Sequence, residues 1–261
     1  MGAKVLEARH VAFDWGNCLI PDPRYVVIPQ IAGLVSETIK GSTGRYVEPA
    51  SVVSVFYDVD GLKRNTWVGV THFGQEDPIF GDLLMQLNVS PGDAALLAPN
   101  ILSAYRAKWM EFVKGSKDWN NERVETLKAL KEGGAALSIL SNDRMHTCRA
   151  ALEWAGMLDF FGYIATAHEY GLEKHPNVPE SRDRFLRETG FRPQETVYVG
   201  DDSVRDIKWA KGGGMNAVLY VPPPEFRKGG AAVWRAESGD TEPDLVINNF
   251  SELKNSIRTV A

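Results

Sequence analysis

Thr196-Val-Tyr-Val-Gly-Asp-Asp202 decides how this chain is read: a short apolar run, a glycine, then two adjacent acids. Such a run, bounded by turn and acidic residues, is a fully buried strand that delivers carboxylates to its C-terminal end. Other segments share this form. Val11-Ala12-Phe13 ends at Asp14, Ala136-Leu-Ser-Ile-Leu140 ends at Ser141-Asn142, and Tyr163 to Thr166 is a further short strand. Helical patterns lie between them. Glu122 to Lys131 carries Val124, Leu127 and Leu130 on one stripe and stops at Gly133-Gly134. Thr147 to Ala155, Arg182 to Thr189 and Asp206 to Lys211 follow, the last closed by Gly212-Gly213-Gly214. Ala217 to Val221 and Leu245 to Ile247 are the final strands. Strands and helices that alternate across short turns predict an α/β fold with a doubly wound parallel sheet.

Between the first strand and the rest, the texture changes. Pro29 to Ile39, Pro78 to Leu87 and Asp93 to Val113 have helical spacing; Ser51 to Asp58 is rich in β-branched residues, and its surroundings favour helix. The chain therefore reads as an α/β core, residues 1–20 and 119–261, interrupted by a helical domain at 21–118. Pro222 to Glu242, rich in Pro, Gly and charge, reads as a surface loop.

The 261 residues carry 29 Lys+Arg against 34 Asp+Glu, and this acidic balance removes the electrostatic reason to expect nucleic-acid binding. No apolar stretch reaches the roughly 18–20 residues of a membrane helix, and the first ten residues hold no apolar signal region. Cys18 and Cys148 are too few for a disulfide framework or a zinc site. The expectation is a soluble, cytoplasmic protein with no membrane partner, compatible with a monomer or a homodimer.

In an open α/β sheet, ligands bind beyond the C-terminal strand ends. Asp14, Ser141-Asn142, the region of Lys174, and Asp201-Asp202 with Asp206 are placed there. Phe13-Asp-Trp-Gly-Asn-Cys-Leu-Ile20, Leu137-Ser-Ile-Leu-Ser-Asn142, Glu173-Lys-His-Pro176 and Val197-Tyr-Val-Gly-Asp-Asp-Ser-Val-Arg-Asp206, in that order, resemble the four motifs of the haloacid dehalogenase superfamily. The resemblance implies a Rossmann-like core with a helical cap inserted after the first strand. It also implies a Mg²⁺-dependent phosphatase acting on a small phosphorylated metabolite. By resemblance Asp14 is the nucleophile that forms an aspartyl-phosphate, dividing a hard hydrolysis into two steps. Mg²⁺ would be held by Asp14, the carbonyl of Gly16, and Asp201 or Asp202, with Asp206 beside them. Ser141 would bond a phosphoryl oxygen, and Lys174 would neutralise charge on Asp14 and the phosphoryl group. Asn142 and the backbone from Trp15 through Gly16 and Asn17 to Cys18 would bind phosphate, the latter as a nest of amides.

The chain departs from the family at Gly16, where the usual phosphatases carry the second Asp that protonates the leaving group. Its loss forfeits a general-acid contribution of roughly 10²–10⁴ in rate. A leaving group that needs little protonation would ease the loss, as would a proton from His72, Glu76 or Asp77 in the inserted domain. Phosphonoacetaldehyde hydrolases share part of the first motif and use a lid lysine, for which only Lys40 and Lys63 are roughly placed. Dehalogenases also lack the second Asp but need no metal, and the acids at 201, 202 and 206 argue against them. A non-catalytic relative that binds a phosphorylated ligand is the remaining reading. The inserted domain is rich in aromatics, among them Tyr46, Phe56, Trp67, Phe73, Tyr105 and Trp109, which read mostly as its own core. Arg24, Lys63 and Arg64 could recognise a further anionic group or be solvated surface charges.

Overall fold

The computed structural model describes residues 4–21, 24–66, 79–223 and 241–260. The chain divides into two compact units, Met1–Asp22 with Ser116–Ala261, and Pro23–Gly115.

The first unit is built on a six-stranded, wholly parallel sheet. Its strands are β2 (His10–Phe13), β3 (Ala136–Ser141), β4 (Tyr163–Thr166), β5 (Thr196–Gly200), β6 (Asn216–Tyr220) and β7 (Leu245–Ile247), in the order β4-β3-β2-β5-β6-β7. Two three-residue strands, β1 (Leu6–Ala8) and β8 (Ile257–Thr259), pair parallel as a separate ribbon. Every residue of β2 and β5 is buried, as a strand enclosed on both sides and both faces must be, which is why both read as unbroken apolar runs.

The register places the strand ends. Phe13 lies opposite Ile139 of β3 and Val199 of β5, so Asp14, one residue on, leaves the sheet beside Leu140 and Gly200. From β2 the chain builds outward through β3 and β4, then returns through β5 to β6 and β7. The direction of winding reverses at this centre, where an open sheet leaves a crevice.

Helices α5 (Lys117–Glu132), α6 (Met145–Trp154), α7 (Ala167–Tyr170), α8 (Pro179–Thr189), α9 (Trp209–Lys211) and α10 (Leu253–Ser256) complete the unit. Three differ from the sequence reading. The inward stripe of α5 is Trp119, Arg123, Leu127 and Leu130, with Val124 only half-buried. α8 starts at Pro179, because a proline at the first helical position surrenders no hydrogen bond. The helix expected over Asp206–Lys211 is a π-helical turn, Ser203–Lys208, that passes into α9. The Asp202 carbonyl there accepts from the amides of both Asp206 (3.0 Å) and Ile207 (3.1 Å), and the second bond widens the turn.

The second unit is helical: α1 (Arg24–Thr43), α2 (Pro49–Thr66), α3 (Ile79–Gln86) and α4 (Pro91–Gly115). The ambiguous Ser51–Asp58 lies within α2. α1 begins before Pro29, which is exposed and forfeits one backbone hydrogen bond of the helix. Phe56 packs on Phe80 (6.1 Å between ring centres) and Phe80 on Tyr105 (5.4 Å); Phe56 and Phe80 are core, Tyr105 is half-buried, and Tyr46 is exposed. Trp67, His72, Phe73, Glu76, Asp77 and most of Pro222–Glu242 lie outside the described residues, as do the side chains of Arg24, Lys63 and Arg64.

Candidate active site

The strand ends bring four charged side chains together. One carboxylate oxygen from each of Asp14, Asp201 and Asp206 lies within 4.8 Å of the other two. Lys174, buried, donates from Nζ to Asp14 Oδ1 and to Asp206 Oδ1, each at 2.5 Å. Two further contacts hold the lysine. Its ammonium donates to the Tyr198 hydroxyl at 2.8 Å. Its backbone is clamped by Asn142: the Lys174 amide donates to Asn142 Oδ1 (2.7 Å), and Asn142 Nδ2 donates to the Lys174 carbonyl (3.2 Å).

Asp206 reaches this position because residue 200 has no side chain. A Cβ at Gly200 would lie 2.3 Å from the Asp206 carboxylate, closer than real Cβ atoms approach anything. The second Asp206 oxygen accepts from the Asp202 amide at 2.9 Å. Asp202, read with Asp201 as a metal ligand, is outside the three-carboxylate group. Its Oδ1 accepts from the amides of Val204 and Arg205, both at 2.8 Å, and so caps the π-helical turn. Of the adjacent acids, Asp201 alone faces Asp14.

In the loop after Asp14, the amides of Asn17 and Cys18, two of the four expected to bind phosphate, donate to carbonyls of the loop itself. The amide of Asn17 donates to the Ile20 carbonyl (2.7 Å), that of Cys18 to Gly16 (2.6 Å), and those of Leu19 and Ile20 to Trp15 (3.1 and 3.0 Å). Asn17, at φ 53°, closes this tight loop and hydrogen-bonds the Asp201 carboxyl through its side chain. The Cys18 thiol is buried against the Val199 carbonyl (3.6 Å), and burial pushes its pKa up. Asn17, Cys18 and Asn142, expected on phosphate, are thus committed to the protein's own groups. Ser141 accepts from the Asp143 amide (3.0 Å), and its hydroxyl also hydrogen-bonds the Cys148 thiol.

Two residues that the sequence reading passed over hold this loop. Arg123 donates from Nε to the Cys18 carbonyl (3.2 Å) and from Nη2 to the Tyr220 hydroxyl (2.7 Å), and its guanidinium lies 3.5 Å from the centre of the Trp119 ring. Trp119 donates from Nε1 to the Leu19 carbonyl (2.8 Å). Their spacing, one helical turn apart at the start of α5, is the available signal, since it sets both on one face.

Among the described residues, the cluster is short of positive charge. Burial raises the pKa of Asp201, and the charges of Asp14 and Asp206 raise it further. Burial pushes Asp206 up to about 7 against the pull of Lys174. Burial lowers the pKa of Lys174, but the carboxylates of Asp14 and Asp206 more than reverse this and hold it well above the ordinary lysine value. One lysine does not balance three carboxylates. An all-oxygen, multi-carboxylate donor set that needs further positive charge fits a hard divalent cation.

The family model described as haloacid dehalogenase-like hydrolase matches residues 81–220. A ribulose-1,5-bisphosphate 5-phosphatase of Halopiger xanaduensis is 32% identical over 223 residues, covering 84% of this chain and 87% of its own. A glyceraldehyde 3-phosphate phosphatase of Methanopyrus kandleri is 28% identical over 200 residues, covering 77% of this chain and 80% of its own. Among solved structures, the putative HAD-hydrolase YfnB of Bacillus subtilis, bound to magnesium, superposes with a TM-score of 0.65 at 17% identity, covering 97% of this chain and 98% of its own. The 2-haloacid dehalogenase of Pseudomonas syringae does so with a TM-score of 0.61 at 19% identity, covering 97% of each chain. With the four strand-end motifs in place on this sheet, the chain belongs to the haloacid dehalogenase-like hydrolase family and is an enzyme of that class.

Proposed function

We propose that the chain is a Mg²⁺-dependent phosphatase that hydrolyses a small phosphorylated metabolite through an aspartyl-phosphate on Asp14. The observation that carries this reading is the juxtaposition of Asp14, Lys174, Asp201 and Asp206 at the reversal point of the sheet. The phosphatase names of the two relatives and the magnesium bound to YfnB point the same way. Asp14, Asp201 and the Gly16 carbonyl would hold Mg²⁺, with Asp206 adjacent, and the ion would offset the repulsion between a carboxylate and a phosphate dianion.

In this reading an Asp14 oxygen attacks phosphorus and the bond to the leaving oxygen breaks. Water then attacks the same phosphorus, which releases phosphate and restores the carboxylate. Lys174 orients Asp14, and the Ser141 hydroxyl donates to a phosphoryl oxygen. Gly16 offers no acid to the leaving group, so substrates whose leaving group is stable as an anion are favoured. In this reading the helical unit is the family's cap domain. No described helix is long and apolar enough to cross a membrane, and a cytoplasmic setting belongs to this proposal.

A screen of phosphorylated metabolites for phosphate release, with and without Mg²⁺, tests the proposal. Release that needs Mg²⁺ and disappears in Asp14→Asn supports it. Release that survives Asp14→Asn contradicts it.

A further inference from the structure

We propose that Tyr198 is a positioning residue for the reaction, its phenol oxygen fixing the Lys174 ammonium where it bridges Asp14 and Asp206. The inference rests on the phosphatase reading above.

An ammonium group has three N–H donors and accepts nothing. In Lys174 all three are accounted for: Asp14 Oδ1 at 2.5 Å, Asp206 Oδ1 at 2.5 Å and the Tyr198 hydroxyl at 2.8 Å. The phenol's own hydrogen goes to the Leu140 carbonyl of β3 at 2.9 Å, so toward Lys174 the tyrosine can only accept. Its ring cannot drift. Tyr198 is fully buried in β5 and packs edge-on against Trp209, 5.1 Å between ring centres, while Trp209 donates to the Ser181 hydroxyl at 3.1 Å.

A lysine side chain is a flexible four-carbon stem with a rotatable head. Two carboxylates alone would let the ammonium swing toward either one. The third acceptor, on a rigid central strand, removes that freedom. With all three N–H groups directed in this way, the place of Lys174 relative to Asp14 is fixed, and that place governs the rate. A tyrosine that served only as core filling could be replaced by phenylalanine without effect on the chemistry.

The test is Tyr198→Phe, compared with wild type by steady-state kinetics on the best substrate of the screen and by crystal structures. A hydrogen bond to a charged group predicts a fall in kcat of about 10- to 100-fold, with KM unchanged. The Lys174 Nζ is expected to leave at least one of its two carboxylates. A merely structural role would lower Tm but leave kcat per folded molecule unchanged, and that result overturns the proposal. If wild type releases phosphate from no metabolite, the phosphatase reading fails, and the crystal structures still decide on Tyr198. Nζ remaining within hydrogen-bond distance of both Asp14 and Asp206 in the variant overturns the positioning role.

Discussion

Gly200→Ala tests whether the site depends on the place of Asp206. A Cβ at residue 200 would lie 2.3 Å from Cγ and Oδ2 of Asp206 and 2.5 Å from its Cβ, against an ordinary contact of 3.4 Å or more. Either Asp206 or the end of β5 must therefore retreat by roughly 1 Å, in a close-packed setting that yields little. Two bonds would stretch with it: Asp206 to Lys174, now 2.5 Å, and the Asp202 amide to Asp206, now 2.9 Å. Misplacement by about 1 Å costs on the order of 10²-fold in rate. Overpacking a buried site costs about 1–3 kcal/mol, a drop of roughly 2–12 °C in Tm for a chain of this size. Mg²⁺-dependent phosphate release and thermal unfolding, measured on the same preparation, read both effects. Wild-type kcat in the alanine variant, with Tm unchanged, would refute the reasoning.

Gly16→Asp should restore an acid for the leaving group. The position is open, since a Cβ there meets only Asp14 Oδ2 at 3.9 Å, and its φ is not in the left-handed region. Rates on poor leaving groups should rise toward the roughly 10²–10⁴ that such an acid contributes, while activated esters change little; equal effects on both classes would show that another group already supplies the proton. His10 should make the fold acid-sensitive. Buried between the Thr196 and Ser138 hydroxyls (3.1 and 2.6 Å), it has its pKa lowered by burial from 6.5 to about 4. Below about 6.5 the unfolded chain binds a proton that the folded chain refuses, so stability falls as pH drops through that window, by about 3 kcal/mol between pH 7 and pH 4. An imidazole NMR titration of the folded protein with a midpoint near 6.5 would contradict this.

The strands were legible because a parallel strand buried on both faces is an unbroken apolar run, as in Val11–Phe13 and Thr196–Val199. β1 and β8 were not, because three residues show no period and their pairing joins opposite ends of the chain. The carboxylates at 14, 201 and 206 could be placed from strand ends alone. Which of Asp201 and Asp202 faces Asp14 could not, since it depends on the cap that Asp202 makes and on the wide turn it starts. The uses of Asn142, Arg123 and Tyr198 were hidden for a common reason. Each serves by a hydrogen bond to a segment distant in sequence, and neither residue type nor helical spacing encodes the partner. Gly200 stood in the sequence only as the link between the apolar run and the acid pair; its role is the space it leaves for Asp206.

The account stands on Asp14 as the atom donor that takes the phosphoryl group. Rapid quenching during turnover, followed by borohydride reduction and peptide mass mapping, reads this directly, because an acyl phosphate is reduced to the alcohol whereas a free carboxylate is not. The account predicts homoserine at position 14, dependent on substrate and Mg²⁺. Unmodified aspartate at position 14 in an enzyme that is turning over, with the reduced residue elsewhere or nowhere, would contradict it.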